Sequence, residues 1–335
     1  MKTKNLLTIS VSLLLSASIL SGCGSEKSNG NTTNKTVVLK LAENHPEDYP
    51  TTIGDKEFAR LVEEKTNGRY KVEVYSGGQL GDEKSAIEQV QLGTIDLARV
   101  NAGPLAEFSD EIGVLSMPYL FSSEKQKWDV LNGEVGKKLL DTLQSDGIVG
   151  LTYYDSGSRS FYTTKRPVKK PEDMKGLKIR VQQSELFMEL VKSLGASPTP
   201  MSYDEVYSGL QTGVIDGAEN NIPSYYSSHH YEVAKYFTVD KHTATPEVLI
   251  ASKSLWDKLS DEDKKAFKEA AMESQKVQRE EWEKLEKKSQ SEIKKSGNKI
   301  IEIKNINEWR KAVQPVYDKF EKKYKKWIDE IQKIM

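Results

Sequence analysis

The sequence predicts an α/β protein whose two lobes share a cleft, on three observations. Residues 37–75 read strand, helix, strand, which is the opening of an α/β lobe. Residues 176–221 form a second ordered run of strand, helix, extended piece, helix and short strand. The chain also repeats itself. Gln91-x-Gly93-x-Ile95-Asp96-x-Ala98-x-x-Asn101 matches Gln211-x-Gly213-x-Ile215-Asp216-x-Ala218-x-x-Asn221 at identical spacing. Both copies read helix end, glycine, short strand, polar loop, so each lobe is expected to offer an asparagine-bearing loop to the cleft. The alternative is convergence of a common helix–glycine–strand turn. Ligands of open α/β sheets bind at the carboxyl ends of the strands, which is where these loops fall.

The 335 residues suffice for two domains with cores of their own. A net charge of -1 makes no case for nucleic acid. The single cysteine, Cys23, rules out an intramolecular disulfide and a thiolate metal cluster.

In chain order, residues 1–22 read as a signal segment. Lys2 and Lys4 precede an apolar stretch, residues 6–20, that is too short to span a bilayer comfortably. It ends in Leu20-Ser21-Gly22-Cys23, which resembles the lipobox of bacterial lipoproteins. Lipidation of Cys23 would anchor the chain to the outer face of the cell membrane. The other reading is a plain secretory signal with an incidental cysteine. The small polar residues up to 36 form a flexible tether. A strand at 37–42, the Asn44-His45-Pro46 turn, a helix at 52–66 and a strand at 70–75 follow. Next come a helix from Asp82-Glu83 to Leu92-Gly93 and a strand at 95–100. Residues 124–143 read as one helix and 148–153 as a buried strand. Residues 155–159 read as a crossing between lobes. After a loop delimited by Pro167 and Pro171, a strand at 177–181 places Arg180 among apolar residues, and a helix runs to Gly195. Residues 198–201 are stiff and extended, 204–211 form a short helix, and Val214-Ile215 a short strand. Strands at 234–239 and 248–252 precede a long charged helix capped by Ser260. A strand at 300–303 and a lysine-rich amphipathic helix at 309–334 end the chain.

Several of these pieces together resemble the extracytoplasmic solute-binding subunits of TRAP (tripartite ATP-independent periplasmic) transporters. They are Gly176-Leu177-Lys178-Ile179-Arg180-Val181, Leu194-Gly195-Ala196, Pro198-Thr199-Pro200-Met201, Leu210-Gln211-Thr212-Gly213 and Asp216-Gly217-Ala218-Glu219-Asn220. Within that family, Asn44-His45-Pro46, Gln79-Leu80-Gly81, residues 96–101, Tyr154-Asp155-Ser156-Gly157 and residues 159–162 are most similar to members that bind hexuronates. The resemblance implies a two-lobed, periplasmic-binding-protein-like fold with a long helix spanning both lobes. One lobe is then 37–155 plus about 245–285, the other 156–244 plus about 286–335.

Arg180 is the sharpest site candidate. A guanidinium holds a carboxylate through paired hydrogen bonds, and an arginine buried without an anion is costly. The residues alone leave a ligand carboxylate and an internal Asp or Glu equally open; the resemblance implies the ligand. It also implies ligand contacts for Arg159, for Asn220 or its neighbour Asn221, and for Tyr203 against a sugar face. From the first lobe it implies Glu83, Asn101, Arg99, His45 and Asn44 around hydroxyl groups. Core packing remains open for Tyr203, and a helix-capping role for His45. His229 and His230 read as surface or turn residues.

The expected activity is capture of a sugar acid such as D-glucuronate or D-galacturonate by a monomer, and delivery to the small and large membrane subunits of a permease. Neither metal nor cofactor is required. Other ligands that fit the same role are sialic acid and C4-dicarboxylates, and handing the ligand to a receptor kinase is also compatible. An enzyme acting on sugar acids would need a carboxylate pair such as Glu83 with Glu219 or Asp216, for which the spacing gives no support. The chain has no Walker loop, GxGxxG, HExxH or GxSxG.

Overall fold

A computed structural model describes residues 36–334. Cys23 and the tether before residue 36 lie outside them. Two sheets form the centres of the two lobes. The first contains β1 (Val37–Ala42), β2 (Tyr70–Tyr75), β3 (Leu97–Asn101), β4 (Ile148–Tyr154) and, later in the chain, Glu247–Ser252, in the order β2-β1-β3-(247–252)-β4. The second contains β5 (Arg159–Thr163), β6 (Lys178–Val181), β7 (Ser197–Pro200), β8 (Gly217–Asn220) and β9 (Tyr236–Thr243). With β10 now naming Glu247–Ser252 and β11 Lys299–Glu302, the second sheet runs β11-β9-β5-β8-β6-β7. The chain passes between sheets from β4 to β5 and back from β9 to β10.

The long helix, Asp261–Lys295, begins at a Ser260 side chain that accepts from the Asp263 N–H. At 35 residues it is about 52 Å long. It packs on the helix Pro50–Lys65 and β4 of the first lobe and on the helix Ile222–Ser227 of the second. Its buried face changes along its length. Ala266, Phe267, Ala270 and Ala271 give apolar contact, whereas Gln275 and Gln278 satisfy the backbone of the first crossing. Gln278 accepts from Asp155 N–H and donates to Asp155 C=O, both at 2.8 Å. Ser156 Oγ then donates to Thr245 C=O at 2.5 Å, tying the two crossings together.

The internal repeat is a scaffold. Gly93 and Gly213 end their helices at φ of 72° and 76°, a conformation that favours glycine. Asp96 and Asp216 accept from the backbone N–H of Lys40 and Lys178, each on the strand paired in parallel with the one that follows. Asn101 and Asn221 cap the next short helices, accepting from Gly103 and Ser224 N–H.

Some elements differ from expectation. Residues 124–143 are two helices, Glu124–Leu131 and Glu134–Thr142, divided at Asn132-Gly133. There a Cβ on Gly133 would lie 2.5 Å from the Asp129 carbonyl oxygen, so the chain turns where only glycine fits. Residues 309–334 are likewise divided, because Pro315 has no N–H to continue a helix and instead starts Gln314–Gln332. Val214-Ile215 is not a strand; pairing begins at Gly217, where β8 meets β5 and β6. Arg159 opens β5 rather than lying in the crossing.

Candidate functional site

The strand ends gather the charged side chains in one place. β10 runs antiparallel to β3 with Glu247 opposite Asn101, so the start of one lies beside the end of the other. In the second sheet, β5 runs antiparallel to β8 with Ser160 opposite Asn220, which brings Arg159 to the end of β8. Asn44 and His45 follow β1, and Arg180 lies one residue from the end of β6. The result is a small cavity of about 20 Å³ between the lobes. The first lobe contributes Asn44, His45, Glu83, Arg99 and Glu247. The second contributes Arg159, Arg180, Gln182, Tyr203, Asn220 and Asn221. Asn101 is not among the lining side chains: its amide caps a helix and donates to Glu247 Oε1 at 2.8 Å.

The three arginines of the site differ in their partners. Arg99 is the hub of the first-lobe wall. It donates through Nε to Glu43 Oε2 at 2.8 Å and through Nη1 to Glu247 Oε2 at 2.6 Å, and through Nη2 to Glu43 Oε1 and Asn44 Oδ1. Its Nη2 also lies 2.7 Å from His45 Nδ1. Arg159 donates through Nε and Nη2 to the Glu219 carboxylate at 2.5 and 2.9 Å. Arg180 has only a carbonyl. Its Nε and Nη2 both donate to Met201 C=O, at 3.0 and 2.8 Å, which leaves the Nη1 edge of the fork open. Among the described residues no carboxylate lies within ion-pairing distance of Arg180, although it is 3% exposed. Burial, more than any neighbour, pulls its guanidinium below the usual arginine range.

Behind Arg159 lies a relay of buried charges. His242 Nδ1 is 2.8 Å from Asp240 and Nε2 is 3.4 Å from Glu219. Burial opposes the charge on His242, but Asp240 and Glu219 overcome it and raise the imidazole to about 9. Burial alone would raise Glu219; Arg159 and His242 reverse that and hold it at about 2. The Arg159–Glu219 and His242–Asp240 pairs are thus neutral, and Arg180 leaves the second-lobe wall positive.

The first-lobe wall is rich in acceptors. Glu83 accepts from Asn101 N–H at 2.6 Å, and burial together with Glu247 pushes its carboxyl up to about 7. His45 stacks on Tyr49 at 4.0 Å between centroids, and its imidazole is lowered by burial and then by Arg99, so it is neutral. Tyr203 tilts towards His45 across the cleft, with centroids 5.1 Å apart. Tyr49 and Ser224 share a hydrogen bond of 2.7 Å between the lobes.

Family comparison fits this geometry. A model of the bacterial extracellular solute-binding proteins, family 7, matches residues 41–323. The chain belongs to that family. A solute-binding protein of Chromohalobacter salexigens is 41% identical over 276 residues, covering 82% of each chain. A TRAP periplasmic solute-binding protein from Bradyrhizobium sp., solved in complex with α/β-D-galacturonate, is 42% identical and superposes with a TM-score of 0.87. That match covers 89% of this chain and 100% of the other. Another from C. salexigens, solved with bound D-glucuronate, is 39% identical with a TM-score of 0.86 over 89% of this chain and 100% of the other. The family consists of solute-binding components of transport systems, and among the described residues no helix is long and apolar enough to cross a membrane.

Sequence reasoning missed Glu43, Gln182, Ser224 and Glu247. An acid beside Asn44-His45, and another opening the apolar run 248–251, were the available signals. His230 is a correction. It is 1% exposed and bonded to the Tyr162 hydroxyl at 2.8 Å, whereas His229 is exposed at a positive φ.

Proposed function

We propose that this TRAP solute-binding protein captures a hexuronate of the D-glucuronate or D-galacturonate type and delivers it to the small and large membrane subunits of its permease. The observation that carries the reading is Arg180, buried in the cleft with one edge of its guanidinium unpartnered, opposite a wall of acceptors. The ligand carboxylate docks on Arg180, with Arg159 and Asn220 beside it. The ring hydroxyls donate to Glu83 and the acceptors around Arg99, and Tyr203 and His45 cover an apolar face of the sugar. A dicarboxylate would bring its second negative charge against Glu83, Glu247 and Glu43, so the acid-rich wall favours a polyol over a second carboxylate. Arg99 acts here by aligning Asn44 and His45. Capture needs only closure of the lobes, so no residue is assigned a chemical step. Cys23 carries the lipid anchor, residues 24–36 give the monomer reach, and the site faces the outside of the cell membrane.

A thermal-shift screen of the purified protein tests this. A ligand that binds only the folded state raises the melting temperature. Glucuronate or galacturonate should raise it and succinate or sialic acid should not. A shift with succinate or sialic acid alone would overturn the hexuronate assignment.

A further inference from the structure

Gln182 follows Arg180 by two positions at the end of β6, so the two side chains leave the same face of the extended chain, and both line the cleft. The turn that carries it is fixed, because Ser184 N–H donates to Gln182 C=O at 2.8 Å. Gln182 is 8% exposed, yet its amide oxygen is buried and receives no hydrogen bond among the described residues.

The other amides that line the cleft differ. Asn44 Oδ1 accepts from Arg99, Asn220 Oδ1 from Asn221 N–H at 2.8 Å, and Asn221 Oδ1 from Ser224 N–H at 2.7 Å. Each of those oxygens has a donor from the protein. A buried acceptor without a donor costs about 1–3 kcal/mol. Lys84, Gln183 and Ser202 line an adjoining cavity with Gln182 and carry donors, but none of them reaches this oxygen. The donor it lacks is one that a bound ligand can bring.

We propose that Gln182 is a specificity-determining residue, whose side-chain amide pairs with the ligand hydroxyl nearest the carboxylate held by Arg180. Positions two apart on an extended chain are separated by about 6.6 Å, so Gln182 meets the part of the ligand next to its carboxylate. In a pyranose hexuronate the nearest hydroxyl is the one on C4, because C5 carries the ring oxygen. A hydroxyl can donate to the amide oxygen and accept from the amide nitrogen, so one rotatable side chain meets an axial or an equatorial hydroxyl there. A second carboxylate has no proton to donate. It could take only the nitrogen end, and the oxygen would stay buried and unpaired. The amide thus favours a hydroxy acid over a dicarboxylate without adding a charge beside Arg180. The choice of C4 rests on the hexuronate reading above.

Calorimetry on wild type and Gln182→Met, with galacturonate and with a 4-deoxyhexuronate, tests this. Methionine keeps the length of the side chain and removes both ends of the amide. Gln182→Met should weaken galacturonate about tenfold, the scale of one hydrogen bond. Wild type should bind the 4-deoxyhexuronate about tenfold more weakly than galacturonate, and Gln182→Met should bind the two alike, because the same contact can be removed only once. The ligand-free variant should melt no lower than wild type, since the unpaired oxygen is gone. Wild-type affinity for galacturonate in Gln182→Met, or an undiminished preference of that variant for the 4-hydroxyl, overturns the proposal. A ligand-free variant that melts well below wild type also overturns it, because the amide would then hold the fold. Wild type that binds no hexuronate overturns the hexuronate reading and the role of Gln182 with it, whereas a preference present in wild type and lost in the variant supports both.

Discussion

Arg159 and Glu219 form a two-pronged ion pair that is closed on the protein side, and this sets them apart from Arg180 in the same cleft. The pair is fully buried, so removing one partner leaves an uncompensated charge. Glu219→Gln should therefore cost about 3–5 kcal/mol of stability, measured by chemical denaturation. The acid side of the profile gives the same answer. With Glu219 held at about 2 against about 4.3 when unfolded, its contribution is present above the unfolded value and is lost as pH falls towards 2. A Glu219→Gln variant as stable as wild type at neutral pH would show that Arg159 finds another partner.

Arg180 should behave in the opposite way. It has no carboxylate to strand, so Arg180→Ala should keep or slightly raise the melting temperature of the ligand-free protein. Binding should collapse, because the ligand carboxylate would be buried without a cation. A loss of about 2–5 kcal/mol, read by calorimetry, is the expected scale. Arg180→Lys should recover little of it, since an ammonium cannot both hold Met201 C=O through two nitrogens and meet a carboxylate with a planar edge. Near-wild-type affinity in either variant would remove Arg180 from the site.

The contrast between these arginines marks the limit of what the sequence disclosed. An arginine inside the apolar run of β6 was legible, because burial of a cation demands an explanation. That Arg159 and Arg99 are already paired was not. Their carboxylates stand 60 residues away at Glu219, and 56 and 148 residues away at Glu43 and Glu247, and only sheet pairing brings them together. The repeat was legible as two equivalent loops. What the repeat did not disclose is that Asn101 and Asn221 use their side-chain oxygens to cap helices, a role that the same residue type fulfils equally well, with Asn221 also lining the cavity. The division of residues 124–143 went unseen because Asn132-Gly133 interrupts the helical pattern only briefly, and Gly136, three residues on, lies inside the second helix.

His242 supplies an alkaline counterpart. Its imidazole is raised from about 6.5 to about 9, so its contribution is complete below pH 6.5 and is lost as pH rises through 9. A shift of that size corresponds to about 3 kcal/mol. Wild type should lose stability across this window, and His242→Asn should be less stable at pH 6 but flatter above it. Parallel melting profiles for the two proteins would place the alkaline transition elsewhere.

Glu83 tests the polyol end of the cleft. It lines the cavity, and besides accepting from Asn101 N–H its carboxylate can accept a hydrogen bond from a ligand hydroxyl. Glu83→Gln should weaken glucuronate and galacturonate by about tenfold, within the range for a lost hydrogen bond to a charged acceptor. Succinate, lacking the hydroxyls, should be affected less. Because the carboxyl sits at about 7, the substitution should also flatten any change in affinity around neutral pH. Equal losses for both ligand types would make Glu83 a support for Asn101 rather than a ligand contact.

Tyr49 and Ser224 join the two lobes through a hydroxyl–hydroxyl hydrogen bond of 2.7 Å. Tyr49→Phe removes that hydrogen bond but keeps the ring, and with it the stack against His45 and the edge contact with Trp282. The encounter of ligand with the open protein does not involve the contact, so the association rate should be unchanged. Opening should become easier, and the dissociation rate should rise by about fivefold, the equivalent of one ordinary hydrogen bond. Stopped-flow measurement separates the two rates. Small-angle scattering adds the geometric check: wild type should become more compact with galacturonate, and Tyr49→Phe should do so only at higher ligand concentration. A slower association with unchanged dissociation would mean that Tyr49 shapes the open cleft and does not latch the closed one.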